Sequence, residues 1–328
     1  MSTSPSIPSF KLLDGTSIPW LAWGNGSGQA KKAAVEAGQQ ALAAGIRHID
    51  TAQIYGTEEA TGHVVSGSPL PKDDIYVTSK LSNLANGQPV PLDQVRASVA
   101  ESVRKLGFVP DLFLVHNPFV APPGELKALW KILEELKDEG KLKSIGVSNF
   151  RVQDFEAILD DAKYKPVVNQ ESCILPHLLV IDSGDSTLKI EYHPYTLTHL
   201  QPVLELQAKH GIVTEAYGPL TPVLRHVTGG PLKTVLERIA ERLSKATGKS
   251  VDLATVLLLW TRAQGAVAVT SSGNAERIKL LAEVSQLPDL LEASEVEDIT
   301  RVGKTVHFRY YTEHMEIDFP LPNLPNGL

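Results

Sequence analysis

Hydrophobic and polar positions along the chain repeat one unit. An amphipathic stretch ends in glycine, and a short β-prone run follows within a few residues. The unit occurs as "ALAAGIRHID", "VRKLGFVPDLFLVH", "LKDEGKLKSIGVS", "QAKHGIVTEA" and "RAQGAVAV". Glycine suits the left-handed position that closes a helix, where a side chain would clash. Leu92, Val95, Val99, Val103 and Leu106 step by three and four, and Leu126, Leu129, Trp130, Leu133 and Leu136 share one helical face, so both stretches are predicted helices. Strands are predicted to begin near Leu21, Ile46, Ile75, Leu112, Leu142, Val167, Ile212 and Ala266. Several of these runs are apolar on both parities, the pattern of parallel strands covered on both faces. Eight strands alternating with helices predict an α/β fold, a (β/α)8 TIM barrel in place of an open sheet.

Three regions stand outside the rhythm. "FKLLDGTSIPW" places an Asp-Gly turn between short β-prone arms, which predicts an N-terminal β-hairpin capping the barrel floor. The stretch from Pro219 to Gly248 carries an extra helix between the seventh strand and the seventh helix. The tail after Val302, rich in aromatics and prolines, is expected to wrap over a face. No Gly/Ser linker and no sequence repeat divides the chain, so residues 1–328 are expected to form a single domain.

Composition narrows the function classes. The 328 residues are 42% hydrophobic and 21% charged, ordinary values for a globular protein. A net charge of −7 argues against general nucleic-acid affinity, because phosphate binding needs a basic face. No run approaches the length of apolar sequence that spans a membrane. "MSTSPSIPSF" lacks the basic start and apolar stretch of a secretory signal, and "PNLPNGL" carries no recognisable address. The one cysteine, Cys173, has no internal partner for a disulfide, which suits a reducing compartment. The expectation is a cytoplasmic protein, a monomer or weak dimer, with a small-molecule substrate.

Two short motifs resemble phosphate loops and fail on context. In "GNGSGQ" the third glycine falls at Gly28, one position early for a dinucleotide fingerprint, and a turn is the better reading. In "ATGKS" the first glycine of a phosphate loop would fall on Leu243, inside a helical pattern. Gly248 therefore reads as a helix stop and Ser250 as the cap of the next helix. The histidines have no zinc spacing, so no metal is expected.

Chemistry collects at predicted strand ends. Asp50 closes the second strand, Tyr55 lies in the loop behind it, Lys80 closes "IYVTSK" and His116 closes "DLFLVH". In a barrel these ends converge on one face. Singly each has an ordinary explanation: a helix cap for Asp50, a satisfied core histidine for His116, a solvent-seeking strand end for Lys80. Lys80 also has a Schiff-base reading, as in barrel aldolases. Together the four make one machine. A phenol has a pKa near ~10, and an adjacent ammonium favours its ionised form. A carboxylate keeps that ammonium charged, and an imidazole orients an incoming oxygen. Such a set protonates a carbonyl oxygen, and the hydride must come from outside, for which a nicotinamide cofactor is the natural source.

"GIRHIDTAQIYG", "VTSKL", "DLFLVHNP", "IGVSNF", "VVNQ", "EYHPY" and "AYGPL" together resemble the aldo-keto reductase superfamily, above all its fungal ketone and aldehyde reductases, from about Phe10 to about Tyr310. The resemblance implies a barrel that binds NADPH in extended form, with NADH as the second option. It implies Tyr55 as proton donor, with Asp50, Lys80 and His116 completing a tetrad. It also implies that Ser148, Asn149 and Gln170 hold the nicotinamide carboxamide and that Tyr217 stacks on the ring. Gly218, Pro219 and Leu220 would lie near the pyrophosphate, and Ser271, Ser272 and Arg277 near the adenosine 2′-phosphate. His116, Asn117 and Trp23 are expected to face the substrate. The alternative from another class is a cofactor-binding regulatory subunit of the same fold with little turnover.

The chain departs from that resemblance in three places. Thr270, Ser271 and Ser272 stand where many relatives have Pro-Lys-Ser, so one phosphate-binding lysine is absent. Gly26 and Ser27 stand where bulk is usual, which predicts a wider mouth. "ESCILPHLLVIDSGDSTLK", residues 171–189, is inserted where relatives run from "VNQ" directly to "IEYHPY". Two readings of the insert stay open, a loop that reshapes the site or an in-frame retained intron. The seamless join of its flanks favours the second. Peptides spanning Gln170 to Ile190 in the native protein separate them.

Overall fold

Five glycine stops organise the chain. Gly45, Gly107, Gly140, Gly211 and Gly265 all have φ between 70° and 115°, the region that a side chain disfavours. The computed structural model describes residues 7–171, 191–310 and 322–326. The insertion predicted at 171–189 falls outside them but for Glu171, as does most of the tail beyond Tyr310.

A two-stranded antiparallel hairpin comes first, β1 (Ser9–Lys11) and β2 (Ser17–Pro19). Eight parallel strands follow: β3 (Leu21–Gly24), β4 (His48–Asp50), β5 (Tyr76–Leu81), β6 (Leu112–Val115), β7 (Ser144–Ser148), β8 (Val168–Glu171), β9 (Val213–Tyr217) and β10 (Val267–Thr270). They close into a barrel in the order β10-β3-β4-β5-β6-β7-β8-β9, as the alternating pattern predicts. Ile46 and Leu142 are buried, but pairing begins two residues later, at His48 and Ser144.

The predicted helices over Leu92–Leu106 and Leu126–Asp138 form as their apolar spacing requires. Val95, Val99 and Leu106 of the first are buried, with Leu129, Trp130, Leu133 and Leu136 of the second. The extra helix after the seventh barrel strand runs Leu232–Thr247 and stops at Gly248. Ser250 does not cap the following helix. Asp252 does, its side chain accepting from the Thr255 N–H at 2.7 Å, because a carboxylate there sits three residues before a donor that would otherwise lack a partner. Among the described residues no helix is long and apolar enough to cross a membrane.

The hairpin closes the barrel floor. Leu12 and Ile18 pack with Leu112, Leu114, Val168 and Val267 in one buried cluster. The hairpin turn is tied down by Asp14, whose carboxylate accepts from Ser144 Oγ at 2.7 Å at the start of β7. The floor is thus sealed, and the C-terminal strand ends are left for chemistry.

The ladder between β8 and β9 runs from Val168 to Glu171. Glu171 pairs with Ala216, and Tyr192 N–H donates to Tyr217 O at 3.0 Å. The β7–β8 ladder gives the rule: Ser148 pairs with Gln170, and the next N–H, of Asn149, donates to Gln170 O. By that rule Glu191 stands opposite Tyr217, on the rung next to Glu171. Residues 191 and 192 thus run beside the end of β9, next to the place where β8 stops.

Candidate active site

Strand alternation turns His48 and Asp50 of β4, and Tyr76, Thr78 and Lys80 of β5, toward the barrel axis. Lys80 is wholly buried. Its ammonium donates to both oxygens of Asp50, at 2.8 and 2.7 Å, and to Thr51 O at 3.0 Å. Tyr55 ends the short 3-10 turn Gln53–Tyr55 that follows β4, and its ring centroid is 5.2 Å from Lys80 Nζ. Its hydroxyl is 3.3 Å from His116 Nε2, and the two rings meet edge to face. The four residues that the sequence places at separate strand ends thus share one site.

Burial works against the Lys80 charge, yet Asp50 and Tyr55 outweigh it and hold its pKa above the ordinary lysine value. For Tyr55 the balance goes the other way. Burial pushes its pKa up to about 12, against the pull of Lys80. The sequence reading expects a phenol made more acidic by the ammonium. The neighbour does act in that direction, but removal from water dominates. At neutral pH Tyr55 carries its proton.

A second tier fixes this geometry. Ser82 Oγ lies 2.8 Å from His116 Nδ1, orienting the imidazole. Gln53 accepts from Ser82 N–H at 2.9 Å and donates to Ser98 and Ser102 Oγ, anchoring the turn that carries Tyr55. Asn25 N–H donates to Asp50 O, and the Asn25 side chain joins Thr57 and Thr61. Gly26, the next residue, lies against the Tyr55 ring: a Cβ there would be 2.7 Å from Tyr55 Cε2. The space left by the missing side chain is filled by the Tyr55 ring, so this departure does not widen the mouth in the way expected.

Gln170 links the tetrad to the neighbouring polar group. Its Nε2 donates to Asp50 Oδ2 at 2.8 Å, and its carbonyl accepts from Ser148 Oγ at 2.8 Å. Asn149 donates to His116 O at 2.7 Å and to Ser148 Oγ at 2.9 Å. Its φ of 62° makes it the one non-glycine residue with positive φ among those described, a strain that these bonds hold in place. Tyr217 ends β9, and Gly218 follows with φ 64° beside Glu191 and Thr221. Pro219 is buried, and Leu220 caps the short helix Thr221–Leu224. Beyond β10, the exposed Ser271 and half-buried Ser272 precede the helix Ala275–Ser285, whose N-terminus is capped by Asn274. Arg277 is exposed in its first turn and makes no ion pair among the described residues, leaving a cation and a helix N-terminus together.

Two expected substrate-facing residues lie elsewhere. Trp23 is fully buried in the layer between barrel and helices, its indole N–H donating to Ser272 O at 2.8 Å. It alternates with Ala22 and Gly24 along β3, and this parity turns it away from the barrel axis. Asn117 is also buried. Its Oδ1 accepts from Phe119 N–H and its Nδ2 donates to Asn83 Oδ1, both at 2.9 Å, so it holds loops together. Ser82, Gln53 and Glu215 are the residues that sequence reasoning missed. Ser82 lies two positions after Lys80, and Glu215 is an acid inside the apolar run "GIVTEAY", both readable signals.

Comparisons with known proteins point to one family. A family model described as the aldo/keto reductase family matches residues 20–177. An NAD/NADP-dependent indole-3-acetaldehyde reductase of Schizosaccharomyces pombe is 29% identical, over 92% of this chain and 98% of its own. An NADPH-dependent alpha-keto amide reductase of Saccharomyces cerevisiae is 32% identical, over 79% of this chain and 75% of its own. The crystal structure of an aldo/keto reductase from Brucella melitensis superposes with a TM-score of 0.72 at 32% identity, covering 90% of this chain and all of that one.

Proposed function

The chain belongs to the aldo/keto reductase family, and on that premise we propose that it reduces the carbonyl group of small aldehydes and activated ketones at the expense of NADPH. The observation that carries the reading is the Lys80 ammonium locked onto both oxygens of Asp50 beside the Tyr55 ring, with His116 across the phenolic oxygen. The donor set around it suits the cofactor. Asn149, pinned in a strained conformation, and Ser148 and Gln170 beside it offer amide and hydroxyl groups to a carboxamide. Gln170 Nε2 is held by Asp50, so its part there falls to Oε1 as an acceptor. Exposed Arg277, with Ser271 and Ser272 at a helix N-terminus, suits a phosphate. When bound, the nicotinamide supplies the hydride that the protein lacks.

The protein's own work is proton transfer and charge control. His116 Nε2 and the Tyr55 hydroxyl lie 3.3 Å apart, close enough for both to reach one carbonyl oxygen. Tyr55 releases its proton to that oxygen as the carbon is reduced. Burial would make the resulting phenolate costly, and the Lys80 ammonium offsets that cost. Asp50 fixes the ammonium in place through both of its oxygens. Ser82 keeps the imidazole turned toward the oxygen. General acid catalysis of this kind contributes on the order of 10²–10⁴-fold.

The relatives act on an indole acetaldehyde and on α-keto amides, so aldehydes, α-keto esters and amides, and diketones are the substrate classes to try first. A cytoplasmic single-domain enzyme is the setting we infer. A panel of such carbonyls, followed by NADPH absorbance, tests the reading: at least one should oxidise the cofactor. Binding of NADPH with no oxidation by any of them would contradict it and favour a regulatory subunit. In Arg277→Ala the KM for NADPH should rise much more than that for NADH, and equal changes would count against Arg277 as the phosphate contact.

A further inference from the structure

Below the tetrad the barrel holds an acid that the mechanism does not use. Glu215 lies mid-strand in β9, paired in register with Gln170, and is wholly shielded from solvent. Neither carboxylate oxygen has a well-formed hydrogen bond among the described residues; the Gln170 amide, which already donates to Asp50, is the donor that faces it. The nearest ring nitrogen, His48 Nε2, is 3.9 Å from Oε1 and is already 2.9 Å from Thr78 Oγ1. His48 Nδ1 faces Pro19 O at 3.3 Å, which fixes its proton there and leaves Nε2 as an acceptor. Burial lowers the His48 pKa to about 4, so the imidazole is neutral and brings no cation to Glu215. The Tyr76 hydroxyl is buried and without a partner as well. Among the described residues the one cation acting on Glu215 is Lys80, which Asp50 already holds by both oxygens.

We propose that Glu215 carries a buried proton at neutral pH, and that its neutral state reserves the field of Lys80 for Asp50 and Tyr55. This rests on the carbonyl-reductase reading, in which negative charge develops on the substrate oxygen and on Tyr55. Lys80 and Asp50 together are electrically neutral. A second carboxylate anion in the same enclosed space would oppose each new negative charge, and nothing there screens it. The groups that face Glu215 are Asp50 and His48 of β4, Tyr76 and Lys80 of β5 and Gln170 of β8, and Tyr55 also feels its charge. Of these only Lys80 and the Gln170 amide favour its ionised form. Burial and Asp50 outweigh them and lift its pKa to about 8. Ionised, Glu215 raises the pKa of both Tyr55 and Lys80, making the phenol a poorer proton donor. Glu215 is thus a positioning residue that sets the alkaline limit of turnover.

The test compares full-length wild type with Glu215→Gln, both with NADPH and the best carbonyl of the panel. Wild-type kcat for reduction should fall as pH rises through about 8, and the glutamine variant should stay flat over that range. An unmoved alkaline limb in Glu215→Gln overturns the proposal. An independent readout needs no turnover. With ¹³C-labelled glutamate, the infrared spectrum of wild type should contain a protonated carboxyl band at neutral pH that titrates away through the same midpoint. Glu58, a second buried glutamate with a raised pKa, is separated by Glu58→Gln, which should keep the band. Should Glu215→Gln fail to fold, the wild-type titration decides alone, and absence of the band at neutral pH defeats the proposal. A band that titrates as stated in a protein that reduces no carbonyl would retain the buried proton and defeat the reductase reading.

Discussion

The two sides of the barrel interior are built on opposite rules. Toward β6, the start of β8 and β10, the axis is lined by Leu112, Leu114, Val168 and Val267, all fully buried and packed on the hairpin's Ile18. Toward β4, β5 and β9 it is lined by His48, Asp50, Tyr76, Lys80 and Glu215. Each large apolar side chain contributes roughly 1.5–3 kcal/mol by leaving water. The polar side contributes little of that kind. Buried ion pairs often do no better than well-packed apolar residues of the same volume, since desolvation cancels most of their attraction. Two polar groups there, the Glu215 carboxylate and the Tyr76 hydroxyl, lack a well-formed hydrogen bond among the described residues. A barrel selected for stability alone would have filled both sides like the first. On the proposed function, the polar side is retained because it stores charge where a proton must move.

Substitutions that separate the two sides sharpen the contrast. Gly26→Ala adds one methyl group to the polar side and changes no charge. Its Cβ would lie 2.7 Å from Tyr55 Cε2, so either the ring or the loop after β3 must shift. Turnover should drop on the order of 10²-fold, the effect of misplacing a catalytic group by an ångström, with little change in thermal midpoint. Unchanged kcat would mean that Tyr55 does not depend on that seat. Leu114→Ala on the apolar side should do the reverse. Unfolding free energy should fall by about 2–5 kcal/mol, because a fully buried side chain leaves a cavity, while kcat per folded molecule stays near wild type. Loss of kcat with intact stability would erase the distinction between the sides.

The fold was legible because its signals are local. Five glycine stops and the period of Leu92–Leu106 fix where helices end and which face is buried, and short apolar runs leave little room for another reading. That Asp50, Lys80 and His116 come together was legible because strand ends in a closed barrel meet whatever their distance in sequence. Trp23 and Asn117 were misread for a physical reason. Proximity to the site in sequence does not say which way a side chain points, and strand parity and loop capping turned both away. The space at Gly26 was misread because a missing side chain looks like a cavity until its neighbour is known. The acidity of Tyr55 was misjudged because burial, which outweighs the nearby ammonium, has no sequence signature. Glu215 could have been found, since a carboxylate in the middle of an apolar strand has no cheap place to go.

The central claim, that the Tyr55 hydroxyl is the proton source, is tested most directly by Tyr55→Phe, with NADPH affinity measured by fluorescence and carbonyl reduction measured in a single turnover. The substitution removes one oxygen and leaves Lys80 bound to Asp50. Reduction should slow by about 10²-fold or more while NADPH affinity stays near wild type. Wild-type reduction rates in that variant would contradict the account.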